Sequence, residues 1–324
     1  MPHKPAWFRN GSVFISYAPT VGINKDGEDL YVVDPGTGKR TDAINNQVQE
    51  DIEALLGGHT TNTSRWADGK TVVDRYVGVP VYFDDRPLQD LDALLACDDM
   101  TSFTSATLGE LIDSKQVKAG AGHGSPSADM RTGTVPYIKV SDLRAGQVNI
   151  NPTNRVTEVV ARRFWGGPTS GLAAYDLITP IRTSKNIGDF AVLMPGQEQL
   201  VLTKEMLVLH AADTADFDNF YLLWAMSLRA VRRQWERIVF MQTNREDVGG
   251  RYREIRLPIP SDKKIADAYS KPMRTYYEGM HHLRVGYLDY LERDGRHHIF
   301  MSTTEAVEEA AEEELILGVA DEGY

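Results

Sequence analysis

The chain holds a single cysteine, Cys97, in 324 residues. One thiol forms no internal disulfide and cannot build a cysteine-based zinc site. No apolar run approaches the roughly 20 residues that a membrane span requires. The opening stretch, MPHKPAWFRN, lacks the apolar core of a secretory signal. These absences point to a cytoplasmic, reducing compartment. No Asn/Asp-Pro-Pro-aromatic motif occurs, the element that holds a flipped adenine for methyl transfer. There is no convincing Asp followed by Glu-x-Lys, the signature of carboxylate nucleases. GAGHG at 120–124 neither follows a strand nor opens a helix in the sequence pattern, so it reads as a flexible loop. GTGKRT at 36–41 has Val33 where a P-loop needs its first glycine. His281-His282 and His297-His298 are adjacent pairs, which point to different sides of a helix and read as surface residues.

A basic excess is missing too. The formal net charge is −11, the wrong sign for a chain that displaces counterions from a polyanion. The charge is unevenly spread. Residues 1–100 carry 9 basic and 16 acidic side chains, and residues 263–324 carry 7 and 13. Residues 101–262 carry 19 basic and 17 acidic side chains, so only this block escapes an acidic excess. If any part meets nucleic acid, it is this one.

Hydrophobic residues make up 42% and charged residues 25%, normal for a globular chain. Residues 11–34 read as a β-hairpin, GSVFISYAPTVGI and LYVVD around the turn NKDGED. DPGTGKRT then reads as a loop. Ile44, Val48, Ile52 and Leu55 predict a helix over 42–56, stopped by Gly57-Gly58. Residues 57–70 read as a mobile linker, VPVYF as a strand, and Leu88–Leu95 as a short amphipathic helix. Thr107 and Glu110 have capping-box spacing at the head of TLGELID. A Gly/Ser-rich loop over 115–133 follows. Then come short β-branched runs, VPYIKV, QVNI, DLITPIR, FAVLM, LVLTK and MLVLH, which predict a twisted β core.

Residues 217–237 read as one helix, with Arg229, Arg232, Arg233 and Arg237 along one flank. They suit either a phosphate backbone or an acidic partner surface. LPIP at 257–260 marks a stop. Beyond it, Tyr269, Met273, Tyr276, Met280, Leu283, Tyr287 and Tyr290 recur at steps of 4, 3, 4, 3, 4 and 3. That heptad seam suits pairing with another helix or packing on the chain's own domain. Pro272 should kink the helix or begin a new one. TEAVEEAAEEELILG predicts a short acidic helix with a solvated face.

GTVPYIKVSDLRAGQVNI at 133–150 resembles the opening of a target recognition domain in type I restriction-modification specificity subunits. Other pieces occur in that family's order. TLGELID resembles the helix before its variable loop, and DLITPIRTSKNIG its strand and turn. The Arg-rich helix and MQTNREDVGGRYREIRLPIP resemble its closing elements. The resemblance covers roughly residues 105–293, with one recognition domain and one long helix where full-length subunits carry two of each. Residues 11–56 bear a shorter resemblance to the tail of N6-adenine methyltransferase subunits.

The resemblance implies a mixed α/β (α+β) fold. A small N-terminal α/β region would span 1–100, a β-rich recognition domain 101–261, and a long dimerisation or spacer helix with an acidic C-terminal helix 262–324. It implies a non-catalytic subunit that binds double-stranded DNA. A second copy or second half-subunit would pair through the long helix. A partner N6-adenine methyltransferase subunit would hold S-adenosylmethionine, with no cofactor or metal in this chain. A piece of a split or fused methyltransferase, or a scaffold that never touches DNA, remain alternatives.

Base reading favours Arg or Lys on guanine and Asn or Gln on adenine, while hydroxyls and amides hold phosphates. Four segments supply that mixture: Lys115 and Lys118; Lys139, Ser141 and Arg144; Arg182, Ser184, Lys185 and Asn186; and Gln242, Asn244, Arg245 and Arg251. The pairing interface would be Tyr269, Met273, Tyr276, Met280, Leu283, Tyr287 and Tyr290.

Overall fold

The computed structural model describes residues 11–75, 77–149, 152–166, 169–182, 184–242 and 245–296. The acidic stretch after 296, His297, His298 and Asn244 lie outside the described residues. The fold is mixed α/β. The chain divides into two compact units, Met1–Asp90 with Glu236–Ile238, and Leu91–Trp235 with Val239–Tyr324.

In the first unit, β1 (Ser12–Ser16) is followed by β2 (Tyr31–Val33), β3 (Arg40–Ile44), α1 (Gln47–Gly57), β4 (Ser64–Asp68) and α2 (Gly69–Arg75). The expected hairpin of 11–34 does not form: β1 pairs with β4 and β2 with β3. The turn chemistry is present, since Asn24 N–H donates to the Glu28 carbonyl. The pairing differs because Phe14 on β1 finds an aromatic partner on β4, Trp66, with ring centroids 5.2 Å apart. β4 therefore occupies part of the expected linker. The DPGTGKRT loop is the turn of the β2–β3 ribbon, closed by Asp34 Oδ1 accepting from the Gly36 and Thr37 N–H groups. β3 takes residues expected in the helix, so α1 starts later, capped by the Asn46 side chain. Gly58 ends it at φ +73°, as the glycine pair predicts. VPVYF forms a 3-10 turn over Pro80–Phe83 with Pro80 at its first position, where a missing N–H costs nothing.

α3 (Arg86–Leu95) matches the amphipathic stretch. The second unit continues with β5 (Phe103–Thr107) and α4 (Leu108–Asp113). The capping box at α4 is formed: Glu110 N–H donates to Thr107 Oγ1 at 3.1 Å, and Thr107 N–H to Glu110 Oε2 at 2.7 Å. Next come β6 (Val117–Ala121), β7 (Val135–Ile138), β8 (Leu143–Arg144), β9 (Gln147–Val148), β10 (Arg155–Val156) and α5 (Glu158–Phe164). β11 (Leu177–Pro180), β12 (Ala191–Val192), β13 (Val201–Leu202) and β14 (Met206–Ala211) follow. Each β-branched run of the sequence thus carries a strand.

Among the described residues, six strands form one sheet in the order β6-β14-β11-β12-β9-β8, and three form another in the order β10-β7-β13. Between them lies a core that includes Ile138, Ile178, Leu193, Leu202 and Met206, none measurably exposed. Burying a side chain of this size contributes about 1.5–3 kcal/mol. The strand β6 was expected to be loop. Just past the strand, Gly122 lets neighbouring backbone approach: a methyl group there would lie 1.8 Å from the Thr203 carbonyl oxygen.

The expected helix over 217–237 is two helices, α6 (Asn219–Ser227) and α7 (Arg229–Ile238), separated by extended Leu228. Their burial explains the break. α6 is buried on nearly all sides, whereas α7 buries only a stripe containing Val231, Gln234 and Trp235. β15 (Phe240–Gln242) and β16 (Arg245–Asp247) make a ribbon. The LPIP stop belongs to β17 (Arg256–Pro260), which pairs with β5. α8 (Lys263–Asp294) then runs unbroken through Pro272. Pro272 and Ala268, whose carbonyl loses its helical donor, are both exposed, so water can satisfy that carbonyl. Among the described residues no helix is long and apolar enough to cross a membrane.

Candidate nucleic-acid interface

One end of the six-stranded sheet gathers several predicted segments. β9 runs parallel to β12, with Gln147 opposite Val192, so the β8–β9 turn stands at the start of β12. β11 runs antiparallel to β12, so its end at Pro180 reaches the same level. The β15–β16 ribbon joins them there, through Val248 N–H to the Ile181 carbonyl at 3.1 Å.

The result is a shallow cleft of about 620 Å³ lined by Val140, Ser141, Arg144, Ser184, Lys185 and Asn186. Two predicted segments some forty residues apart in sequence thereby meet. Arg144 and Lys185 are exposed. Among the described residues, neither they nor Lys139 are paired with a carboxylate. Local hydrogen bonds shape both walls. Asp142, buried, accepts from Lys139 N–H at 2.8 Å and turns the SDL segment back on itself. Ser184 Oγ accepts from Asn186 N–H at 3.0 Å. Lys139 and Arg182 are half-buried at the borders.

A second cleft, about 580 Å³, shares Arg144 and Asn186 with the first. Its floor includes Leu143, Phe190, Leu223, Met226, Met273 and Tyr277. Asp189 and Arg232 on its rim pair at 2.7 Å, which commits one arginine of the α7 flank to its own unit. Sequence reasoning missed Asp189, Phe190 and Tyr277. Tyr277 could not be found from the heptad spacing, because it lies one position off the seam.

The remaining residues are placed differently. Gln242 and Arg245 are backbone register partners at the end of the β15–β16 ribbon, with Asn244 outside the described residues. Arg251 stacks on Phe240, its guanidinium carbon 3.7 Å from the ring centroid. Lys115 and Lys118 are not brought to this end. Lys118 lies opposite His210, and Val117 opposite Ala211 where β14 ends, away from the Met206 end beside Pro180. Lys118 lines a separate cleft with His123, Asp176 and His210. There His210 Nδ1 and Asp176 Oδ1 are 2.6 Å apart, and burial pushes the Asp176 carboxyl above its ordinary value. His123 accepts the Leu202 N–H at Nδ1, 3.0 Å, and so donates from Nε2 to the Ser170 carbonyl, 2.6 Å. Burial holds its pKa below the usual histidine value.

α8 divides the heptad seam. Tyr269 packs within the unit, its ring centroid 4.6 Å from Trp224 and 5.1 Å from Phe103. Met273 lines the apolar cleft, and Met280 is half-buried. Tyr276, Leu283, Tyr287 and Tyr290 are exposed, Leu283 by 78%. Among the described residues no group of three or more His, Cys, Asp or Glu side chains could hold a metal ion.

No family model and no curated protein matches the chain. Among solved structures, it is similar to the type I restriction-modification system S subunit from M. genitalium, at 13% identity and a TM-score of 0.40. That match covers 59% of this chain and 43% of the other. The HsdS subunit from Thermoanaerobacter tengcongensis matches at 13% identity and a TM-score of 0.33, over 76% of this chain and 58% of that one. The type IIG restriction endonuclease BpuSI matches at 9% identity and a TM-score of 0.41, over 69% of this chain and 33% of that one. The chain spans 43% and 58% of the length of these two S subunits.

Proposed function

We propose that this chain is a sequence-specific DNA recognition subunit of a restriction-modification or related phage-defence system. It would direct a partner N6-adenine methyltransferase, which holds S-adenosylmethionine, to its target site. The observation that carries the reading is the cleft in which Ser141 and Arg144 meet Ser184, Lys185 and Asn186. Hydroxyls suited to phosphate, an amide suited to adenine, and two exposed cations without a carboxylate partner among the described residues, suited to guanine or phosphate, stand together there. The adjacent β15–β16 ribbon has the form of element that a major groove admits. Residues 101–261 would be the recognition domain. The exposed Tyr276, Leu283, Tyr287 and Tyr290 on α8 support pairing with a second recognition half, from another copy or another chain.

The reading is tested by measuring binding to a target duplex between about 50 and 200 mM salt, where a protein making several phosphate contacts loses orders of magnitude in affinity. Combined Arg144→Ala and Lys185→Ala substitution should abolish specific binding. Unchanged binding in that variant, or affinity indifferent to salt, would favour a scaffold. Methyl transfer by the purified chain alone would favour a methyltransferase fragment.

A further inference from the structure

The β8–β9 turn is built from Ala145 and Gly146, both with positive φ, at +50° and +74°. Two such residues form the hairpin turn whose twist matches its strands, but alanine enters that region at a cost. Something must hold the turn in place. The Gly146 carbonyl is gripped from two sides: Val192 N–H donates at 3.0 Å, and the Tyr277 hydroxyl of α8 donates at 3.2 Å. Tyr277 is 6% exposed, with its ring beside Phe220 of α6. A methyl group on Gly146 would lie 2.6 Å from the Tyr277 oxygen, so any larger residue would displace that hydroxyl besides straining the turn at its φ. Arg144 immediately precedes this turn and projects into the cleft of Ser184, Lys185 and Asn186.

We infer that Tyr277 is a positioning residue for DNA reading, fixing through the Gly146 carbonyl the turn that aims Arg144. This inference rests on the recognition function proposed above. Burial pushes the Tyr277 hydroxyl up to about 12, so it remains a proton donor across the working pH range. The contact makes α8 part of the reading head: the helix that presents the exposed tyrosines also sets the turn beside the cleft.

The test is a double-substitution cycle on the full chain. Wild type, Tyr277→Phe, Arg144→Ala and the double variant are measured on the duplex that wild type selects from a random pool. Amide exchange over residues 144–148 is measured in the absence of DNA. Phenylalanine keeps the ring and removes only the donor. Tyr277→Phe should weaken specific binding about tenfold, the scale of a hydrogen bond lost from a coupled position. It should leave non-specific binding unchanged and quicken exchange over 144–148. In the Arg144→Ala background it should add nothing to the loss. Penalties that simply add, or affinity and exchange equal to wild type, would overturn the role of Tyr277 while leaving DNA recognition intact. If wild type selects no sequence, the recognition reading falls and this inference falls with it.

Discussion

Gly188 lies face-on against the indole of Trp235. Its φ is +83°, and a methyl group there would stand 2.5 Å from Trp235 Cγ. The glycine that closes DLITPIRTSKNIG is thus fixed by two constraints at once, a left-handed backbone and the ring of a fully buried tryptophan. The same residue shapes the cleft wall, since Gly188 N–H donates to Thr179 Oγ1 at 3.0 Å, just beyond Asn186. Gly188→Ala should destabilise the second unit by about 2–5 kcal/mol, combining left-handed strain with overpacking. Urea denaturation measures it; a loss under about 0.5 kcal/mol, the range of an ordinary surface change, would refute the packing argument.

The first unit depends on a buried carboxylate. Asp51, 1% exposed, accepts from Ser16 Oγ at 2.5 Å, from Thr63 Oγ1 at 3.0 Å, and from the Thr61 hydroxyl. These three donors come from β1 and from the segment entering β4, so Asp51 ties α1 to the two-stranded sheet. Asp51→Ala takes this shared acceptor from the half-buried Ser16 and the buried Thr63 hydroxyls and should cost about 3 kcal/mol. Hydrogen exchange should quicken over 12–68 and stay unchanged over 103–227. Equal protection in wild type and variant would remove this role.

His123 predicts a pH dependence. Burial lowers its pKa from the ordinary 6.5. Between the lowered value and 6.5 the unfolded chain binds a proton that the folded chain does not, so stability rises with pH through that window. The contribution is therefore present above 6.5 and lost as pH falls through the folded value. Protonation also removes the Nδ1 acceptor used by Leu202 N–H. Thermal denaturation from pH 8 to 5 should show a decline in Tm that His123→Gln flattens. Parallel profiles would show that His123 does not carry it.

Arg144 and Lys185 should separate base reading from phosphate holding. A cation on phosphate lowers the salt slope by about 0.9 when removed, weakening all sequences alike. A cation on a guanine relaxes one position by about 1–3 kcal/mol. Arg144→Ala should give the second pattern and Lys185→Ala the first. Salt titrations on matched and mismatched duplexes check both, and identical behaviour of the two variants would contradict the assignment.

The strands of the second unit were legible because β-branched runs such as ITP and MLVLH sit between turn residues. β3, RTDAI, was not: it is polar and largely exposed, with no apolar alternation to read. β6, VKAGA, was hidden because its Ala and Gly carry little strand preference, while its pairing with β14 is long-range. The break at Leu228 was invisible because apolar spacing continues across it, while burial changes from all-round to one-sided. In the site, the residue types at 139–144 and 182–186 were readable and their meeting was not. That depends on the parallel pairing of β9 with β12, a long-range contact with no local signal. The placement of Lys115 and Lys118 follows from register in the same way.

The central claim is tested most directly by letting the full chain select duplexes from a random pool at about 100–150 mM salt, the range in which specific and non-specific binding separate. The account predicts one enriched motif for wild type, and its loss when Arg144 and Lys185 are both replaced by alanine. A pool that stays random with wild type, or a motif that survives the double substitution, would contradict it.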